Sequence, residues 1–128
     1  MAIRLTIDHA SKRVVAVADG DVTRRDLEEY LEAMDRENAM AYCKLFDGLN
    51  GDTHMDAYDL LAICVRIRAY HRNPVGPLAI VMTAEKYHLV LRILGALAAA
   101  KRPMKIFYSL KPAQRWLDSF ATATSEVC

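Results

Sequence analysis

The sequence has little of what a disulfide-stapled secreted domain or a membrane protein needs. Its three cysteines, Cys43, Cys64 and Cys128, form no C-x-x-C pair, and an odd number spread in this way does not suggest a disulfide framework. Cys43 and Cys64 lie in apolar segments, which favours buried thiols. The most apolar run, residues 89–100, is broken by Arg92 and is too short to span a bilayer. We therefore expect a soluble, cytoplasmic protein with no membrane span.

Charge of one sign is also lacking. Seventeen basic residues face sixteen acidic ones, for a formal net charge of +1. Such a balance gives no general electrostatic field for nucleic acid or for an anionic membrane. We therefore expect no nucleic-acid partner.

The sequence patterns of common catalytic and metal sites are missing as well. The four histidines, His9, His54, His71 and His88, have no ligand-like spacing. There is no G-x-S-x-G nucleophile elbow, and the glycine-containing segment 48–53 lacks the spacing and the lysine of a phosphate-binding loop. The sequence thus predicts no catalytic residue, no metal and no cofactor. The glycines of this segment are interpreted as a turn that needs positive φ.

What is present is the pattern of one α/β domain, as expected for 128 residues. Alternating or continuous apolar runs predict five strands, and helical periodicity predicts four helices in the order β-β-α-β-α-β-α-β-α. Alternation of strands and helices predicts a mainly parallel five-stranded sheet with right-handed crossover helices. The face of the sheet opposite those helices needs cover from the hairpin, the first or last helix, or a partner. We predict a single domain over residues 1–120 and a weakly ordered tail over 121–128.

Helix boundaries carry their own signals. Thr23 followed by Asp26 predicts a capping box at the start of the first helix. Thr83 predicts the cap of a third helix that extends to about Lys101, and Ser109 predicts the cap of the last helix.

The segment 44–72 is predicted to hold the functional site, because loops at the carboxyl ends of parallel strands are the usual place for ligands. It contains a strand at 43–47, a polar turn and a helix from about Asp56 to Arg72. Residues 60–65 of that helix are all apolar, so a single contact with the sheet cannot cover it. We expect self-association, with a dimer favoured, through a helix face formed by Leu61, Val65 and Arg68.

One interpretation of the strand ends is a phosphoacceptor receiver domain. Asp47, Thr83 and Lys105 follow or close the third, fourth and fifth predicted strands, as the phosphoacceptor Asp, the Thr/Ser and the Lys do in that family. The chain departs from the family because it has no acidic pair and no helix after the first strand, and because no proline follows Lys105.

The order of elements over almost the whole chain resembles the STAS superfamily of anti-sigma-factor antagonists, whose fold is called SpoIIAA-like. In that family an Asp ends the third strand, and a run of the type F-[ILM]-D-S-S-G-L leads into a helix. Here the comparable residues are Asp47 and the run from His54 to Leu60, in which Met55, Asp56 and Leu60 match. The phosphorylated Ser of the antagonists corresponds to Tyr58, and the following Gly to Asp59. The resemblance therefore implies a divergent bacterial member without the phosphoacceptor serine, with Thr53 as the nearby hydroxyl.

Two functions follow from these observations. The resemblance, together with the excess apolar surface of the second helix, implies a non-enzymatic regulatory or protein-interaction module that self-associates or binds a protein partner. The alternative is a carrier or sensor of a small apolar, lipid-like ligand, with Tyr58, Tyr87, Met55 and Met82 as lining residues. The residues predicted to form the ligand or partner loop are Asp47, Thr53, His54, Met55, Asp56 and Tyr58.

Overall fold

A computed structural model of the chain describes residues 2–70, 75–88 and 102–123. In these residues five strands and three α-helices form an α/β domain. The strands are β1 (Ile3–Asp8), β2 (Arg13–Asp21), β3 (Cys43–Asp52), β4 (Leu78–Val81) and β5 (Met104–Phe107). The helices are α1 (Arg24–Arg36), α2 (Ala57–Ala69) and α3 (Leu110–Ala123).

The five strands form one mixed sheet in the order β1-β2-β3-β4-β5. β1 and β2 pair as the predicted antiparallel hairpin, and β2, β3, β4 and β5 follow one another in parallel. The α/β class, the order of strands and the mainly parallel sheet are thus confirmed, with β1 as the antiparallel member.

The two faces of the sheet are covered by different helices, and each has its own apolar core. One core lies on the α1 and α2 side and includes Ile3, Met34, Ile63 and Ile80. The other lies beneath α3, where Ala113 and Leu117 pack with buried residues of β3 and β4. The sequence left open whether the hairpin, the first helix, the last helix or a partner covers the second face of the sheet. In the structure the last helix, α3, covers it.

The predicted capping box of α1 is confirmed, whereas the predicted side-chain cap at Thr83 is wrong. Thr23 and Asp26 exchange the two hydrogen bonds of a capping box at the start of α1. Thr83 makes no side-chain cap, and its buried hydroxyl has no hydrogen-bond partner. The chain after it begins with a 3₁₀ turn at Ala84–Lys86. The rest of the predicted third helix, residues 89–101, lies outside the described residues.

The predicted turn at 48–53 is wrong, because β3 continues to Asp52. The end of β2 pairs with this extension after a register shift between Val17 and Asp19. Gly51 has no positive φ; it is needed because a Cβ there would lie 2.8 Å from the Cβ of Ala18. Close approach of two strands, rather than a turn, explains this glycine.

Three further expectations concern the tail, the cysteines and the membrane. α3 extends to Ala123, and residues 124–128 of the predicted tail lie outside the described part. Cys64 is a free thiol that is partly buried, and Cys43 is fully buried. Within the described residues, no helix has the length and apolar character needed to cross a membrane.

The Gly51–Ala18 contact makes a testable prediction. Gly51→Ala should lower the free energy of unfolding by about 1–3 kcal/mol, because the added methyl overpacks the β2–β3 interface. Adding Ala18→Gly should recover part of this loss, since it removes the opposing methyl. Urea unfolding of the two single variants and the double variant measures the coupling. Additive losses would show that the two residues do not meet as described.

Candidate functional site

An apolar cavity of about 130 Å³ lies between α1, α2 and the sheet. Its wall is made of aliphatic, methionine and aromatic side chains, with Lys44 and Arg102 as the two charged residues among those described. The described lining residues are Leu27, Tyr30, Leu31, Met34, Met40, Lys44, Phe46, Ile63, Ile67, Val75, Leu78, Ile80 and Arg102. An apolar cavity with a few polar groups is the usual form of a small-molecule site.

Lys44 lies at this cavity because it is the second residue of β3 and shares a face with Phe46. Its side chain is only 2% exposed. The ammonium group donates hydrogen bonds to the backbone carbonyls of Met40 and Tyr42, the latter at 3.0 Å. The turn before β3 therefore holds the amine in a fixed position.

Arg102 approaches the same region from the segment before β5. Its Nη1 lies 3.5 Å from the carbonyl oxygen of Gly76, and its buried Nε has no hydrogen-bond partner. Gly76 donates its N–H to the carbonyl of Met40 at 2.9 Å, which is the carbonyl that Lys44 also uses. A Cβ on Gly76 would lie 2.2 Å from the carbonyl oxygen of Tyr42. Only glycine fits at this position. Gly76 contacts Arg102 through its carbonyl and bonds through its N–H to the Met40 carbonyl, which also accepts from Lys44.

The electrostatics of the cavity are those of buried positive charge. Burial, with a smaller contribution from Arg102, lowers the pKa of Lys44 to about 7. Burial also lowers the pKa of Arg102 and raises the pKa of the Tyr30 hydroxyl to about 12. No acidic side chain stands among the described lining residues, so no carboxylate on the wall offsets these charges.

A second apolar cavity, of about 140 Å³, lies toward the carboxyl ends of the strands. Leu27, Phe46 and Ile80 line both cavities, so the two spaces share a wall of three apolar side chains. Its other described lining residues are Ala18, Val22, Gly48, Gly51, Asp52, Thr53, Met55, Leu60, Val81, Met82 and Lys86. The ammonium group of Lys86 donates to the carbonyl of Gly51 at the rim.

Ion pairs join α1 and α2 above these spaces. Arg66 of α2 pairs with Glu28 and Glu32 of α1, and Arg24 of α1 lies 3.7 Å from Asp59 of α2. The guanidinium of Arg24 also lies 5.9 Å from the centre of the Tyr58 ring. These contacts hold the two helices beside each other and keep the apolar space beneath them covered.

The predicted loop residues divide into two groups. Thr53 and Met55 line the second cavity, whereas Asp47, His54, Asp56 and Tyr58 are not among its lining residues. The Thr53 hydroxyl donates to the carbonyl of Val22 and accepts from the N–H of Met55. The Asp47 carboxylate accepts from the N–H of Leu49, which fixes it within β3.

The other loop residues have local roles. His54 is exposed and lies 3.0 Å from the Asp21 carboxylate, a hydrogen bond that raises the pKa of the imidazole. Asp56 caps α2 by accepting from the N–H of Asp59. Tyr58 is 73% exposed. Of the aromatic and methionine residues predicted to line a ligand site, Met55 and Met82 do so, while Tyr58 and Tyr87 are partly or largely exposed.

The outer face of α2 carries the predicted self-association residues. Leu61 and Val65 are each 63% exposed, and Arg68 is also exposed. The opposite side of the same helix buries Ile63 and Ile67 in the core. The helix is therefore apolar toward both the core and the solvent.

The receiver-like residues do not meet in one row of the sheet. Asp47 pairs with Val81, which pairs with Phe107, whereas Lys105 pairs with Ala79 two positions earlier. Asp47 also lies within β3 rather than at its end. The geometry does not favour the receiver interpretation.

Sequence reasoning missed Lys44, Arg102 and Tyr30. Lys44 had one available signal, because alternation along β3 places it on the same face as Phe46. Tyr30 also had one, because it lies three residues after Leu27 and four before Met34 on the apolar face of α1. Arg102 had none, since its position depends on where the segment before β5 lies.

Comparisons with known proteins support the fold. The structure is similar to that of an uncharacterised protein of the DUF3478 family with a SpoIIAA-like fold from Shewanella loihica PV-4. The two chains are 18% identical, with a TM-score of 0.61, and the match covers 91% of this chain and 92% of the other. No protein-family model and no curated protein matches the sequence. The fold is therefore SpoIIAA-like, as the resemblance implied, and no group of metal-ligating side chains occurs within the described ranges.

Burial of Lys44 predicts a pH-dependent stability. The pKa of Lys44 is about 7 in the folded protein and 10.5 as its ordinary value, so folding disfavours the charged form. This destabilisation is complete below pH 7 and disappears as the pH rises from about 7 to 10.5. The difference in free energy of unfolding between the wild type and Lys44→Met should therefore change over this range, in favour of the wild type at high pH. Urea titrations at pH 6, 7.5 and 9 measure it, and a pH-independent difference would contradict the burial of a titrating amine.

Proposed function

We propose that this chain is a non-enzymatic bacterial binding module that self-associates as a dimer through the outer face of α2. The module acts in the cytoplasm as a regulatory or protein-interaction component. The bacterial origin of the similar structure is consistent with this assignment. The observation that carries the proposal is the exposure of Leu61 and Val65, each 63%, next to Tyr58 at 73%.

The spacing of these side chains supports a contact with another helix. Tyr58, Leu61 and Val65 follow one another at intervals of three and four residues, so they form one stripe. Scattered exposed apolar residues are ordinary, but a contiguous stripe on a helix is typical of an interaction surface.

A second copy of the chain fits this stripe. A two-fold dimer pairs a surface with itself, so the two α2 helices would cross in antiparallel orientation about Leu61 and Val65. Arg68 of one copy would then lie near Asp56 at the amino end of α2 in the other copy. Opposite charges and opposite helix dipoles favour this arrangement.

Charge on the stripe should break the dimer. Leu61→Glu and Val65→Glu should convert a wild-type dimer into a monomer, because two carboxylates would be buried across the two-fold axis. Light scattering coupled to size-exclusion chromatography measures the mass. Tyr108→Glu is the matched control, since Tyr108 is an apolar residue with 58% exposure outside α2, and its dimer should persist. A monomeric wild-type protein would contradict the proposed self-association.

A second candidate function is the binding of a small apolar ligand between the helices and the sheet. The observation in its favour is the pair of apolar cavities that share Leu27, Phe46 and Ile80. A cavity of about 150 Å³ lined by aliphatic and aromatic side chains can hold a benzene molecule. Each cavity therefore has room for a group of roughly six carbon atoms.

Dodecanol is a suitable probe for this second function. A ligand present at a hundredfold excess over its Kd should raise Tm by ~10 °C in a domain of this size. Ile63→Phe should reduce the shift, because the ring fills the first cavity. Val65→Phe, which adds the same ring to the outer face of the same helix, should leave it intact. Absence of any shift in the wild type would count against ligand binding.

A further inference from the structure

The first cavity contains hydrogen-bond donors without acceptors. A protonated lysine has three N–H donors, and Lys44 uses two of them on the carbonyls of Met40 and Tyr42. The buried Nε–H of Arg102 has no partner. Because buried donors and unpaired charges are costly, two such groups at one end of an apolar space indicate a missing acceptor.

We propose that this cavity binds a single-chain carboxylate, with the carboxylate between Lys44 and Arg102 and the alkyl chain along the apolar wall. This inference rests on the proposed ligand-binding function and names the ligand class. The occupant would supply one negative charge and two acceptor oxygens to the N–H groups of Lys44 and Arg102 that have no acceptor among the residues that the structure describes.

The chemistry of the head group follows from the two donors. A neutral alcohol would fill the space but would leave the positive charge uncompensated. A phosphate would bring up to two negative charges into a cavity whose wall is otherwise apolar, so its desolvation would cost more than that of a carboxylate. A carboxylate supplies a negative charge to the two cationic groups at a lower desolvation cost than a phosphate, and hydrogen bonds between charged partners are the stronger kind.

The length of the alkyl chain follows from the two cavities. The first cavity, of about 130 Å³, has room for roughly six carbon atoms, the head group included. Movement of Leu27, Phe46 or Ile80 would join it to the second cavity, of about 140 Å³, and would extend the length to roughly twelve carbons. Octanoate and dodecanoate are therefore the probes of choice.

The ammonium group of Lys44 is also held in a position that suits the binding of a carboxylate. Gly76 cannot carry a side chain without meeting the carbonyl of Tyr42, and it donates to the carbonyl of Met40. The same two carbonyls hold Lys44. The ammonium group is therefore fixed before a ligand arrives, which lowers the entropic cost of binding.

Calorimetry with three ligands of equal chain length tests the proposal. Delipidated wild-type protein is titrated with dodecanoate, dodecanol and dodecyl phosphate, and octanoate tests the shorter length. Dodecanoate should bind about tenfold or more tightly than dodecanol, and more tightly than dodecyl phosphate.

Variants then assign the head group to its residues. Lys44→Met and Arg102→Met should each weaken dodecanoate about tenfold and change dodecanol by no more than about twofold. Lys105→Met is the matched control, because Lys105 is exposed and faces away from the cavity beside Phe107. Circular dichroism verifies that each variant is folded. If a variant does not fold, the wild-type comparison of the three ligands decides alone.

The outcomes are distinct. Equal affinity for dodecanoate and dodecanol would overturn the carboxylate proposal and leave apolar-ligand binding intact. Tighter binding of dodecyl phosphate would overturn the choice of carboxylate in favour of a phosphate head. Binding of none of the probes would overturn both the proposal and the ligand-binding function on which it rests.

Discussion

The functional surfaces of this protein depend on one constraint, which is that α2 is apolar on more than one side. Its inner side, with Ile63 and Ile67, packs toward the sheet and lines the first cavity. Its outer side presents Leu61 and Val65 to solvent. A helix that covered only the sheet would carry polar residues at these outer positions. We therefore interpret α2 as the wall of a ligand space on one side and as a contact surface on the other.

A second constraint on the structure is the positive charge that is buried at the amino end of the parallel strands. Lys44 and Arg102 gain hydrogen bonds to backbone carbonyls, yet no acidic side chain of the described cavity wall pairs with them. Such an arrangement costs stability, because burial penalises the charged forms. Features that reduce stability are typical of functional sites. On our proposal a bound carboxylate would offset this reduction, which would link the stability of the fold to the occupancy of the cavity.

Sequence patterns predicted the strands, the capping box of α1 and the SpoIIAA-like order of elements, because these depend on neighbouring residues. They failed at residues 48–53, where glycine and aspartate indicate a turn locally but β2 extends and pairs with the segment. They also directed attention to the carboxyl ends of the strands, where Thr53 and Met55 line a cavity. The sequence did not predict the cationic part of the first cavity, because a lysine near the start of a strand is ordinarily exposed. Its burial depends on Gly76 and Arg102, which are distant in sequence.

Native mass spectrometry of freshly purified protein tests the central claim most directly, because one spectrum reports both the number of chains and any small molecule that they retain. We predict a dimer in which each chain carries an additional mass in the range of a single-chain carboxylate. Mild activation should release that mass as an anion. A monomer without any retained mass would contradict the claim that both sides of α2 are used for binding.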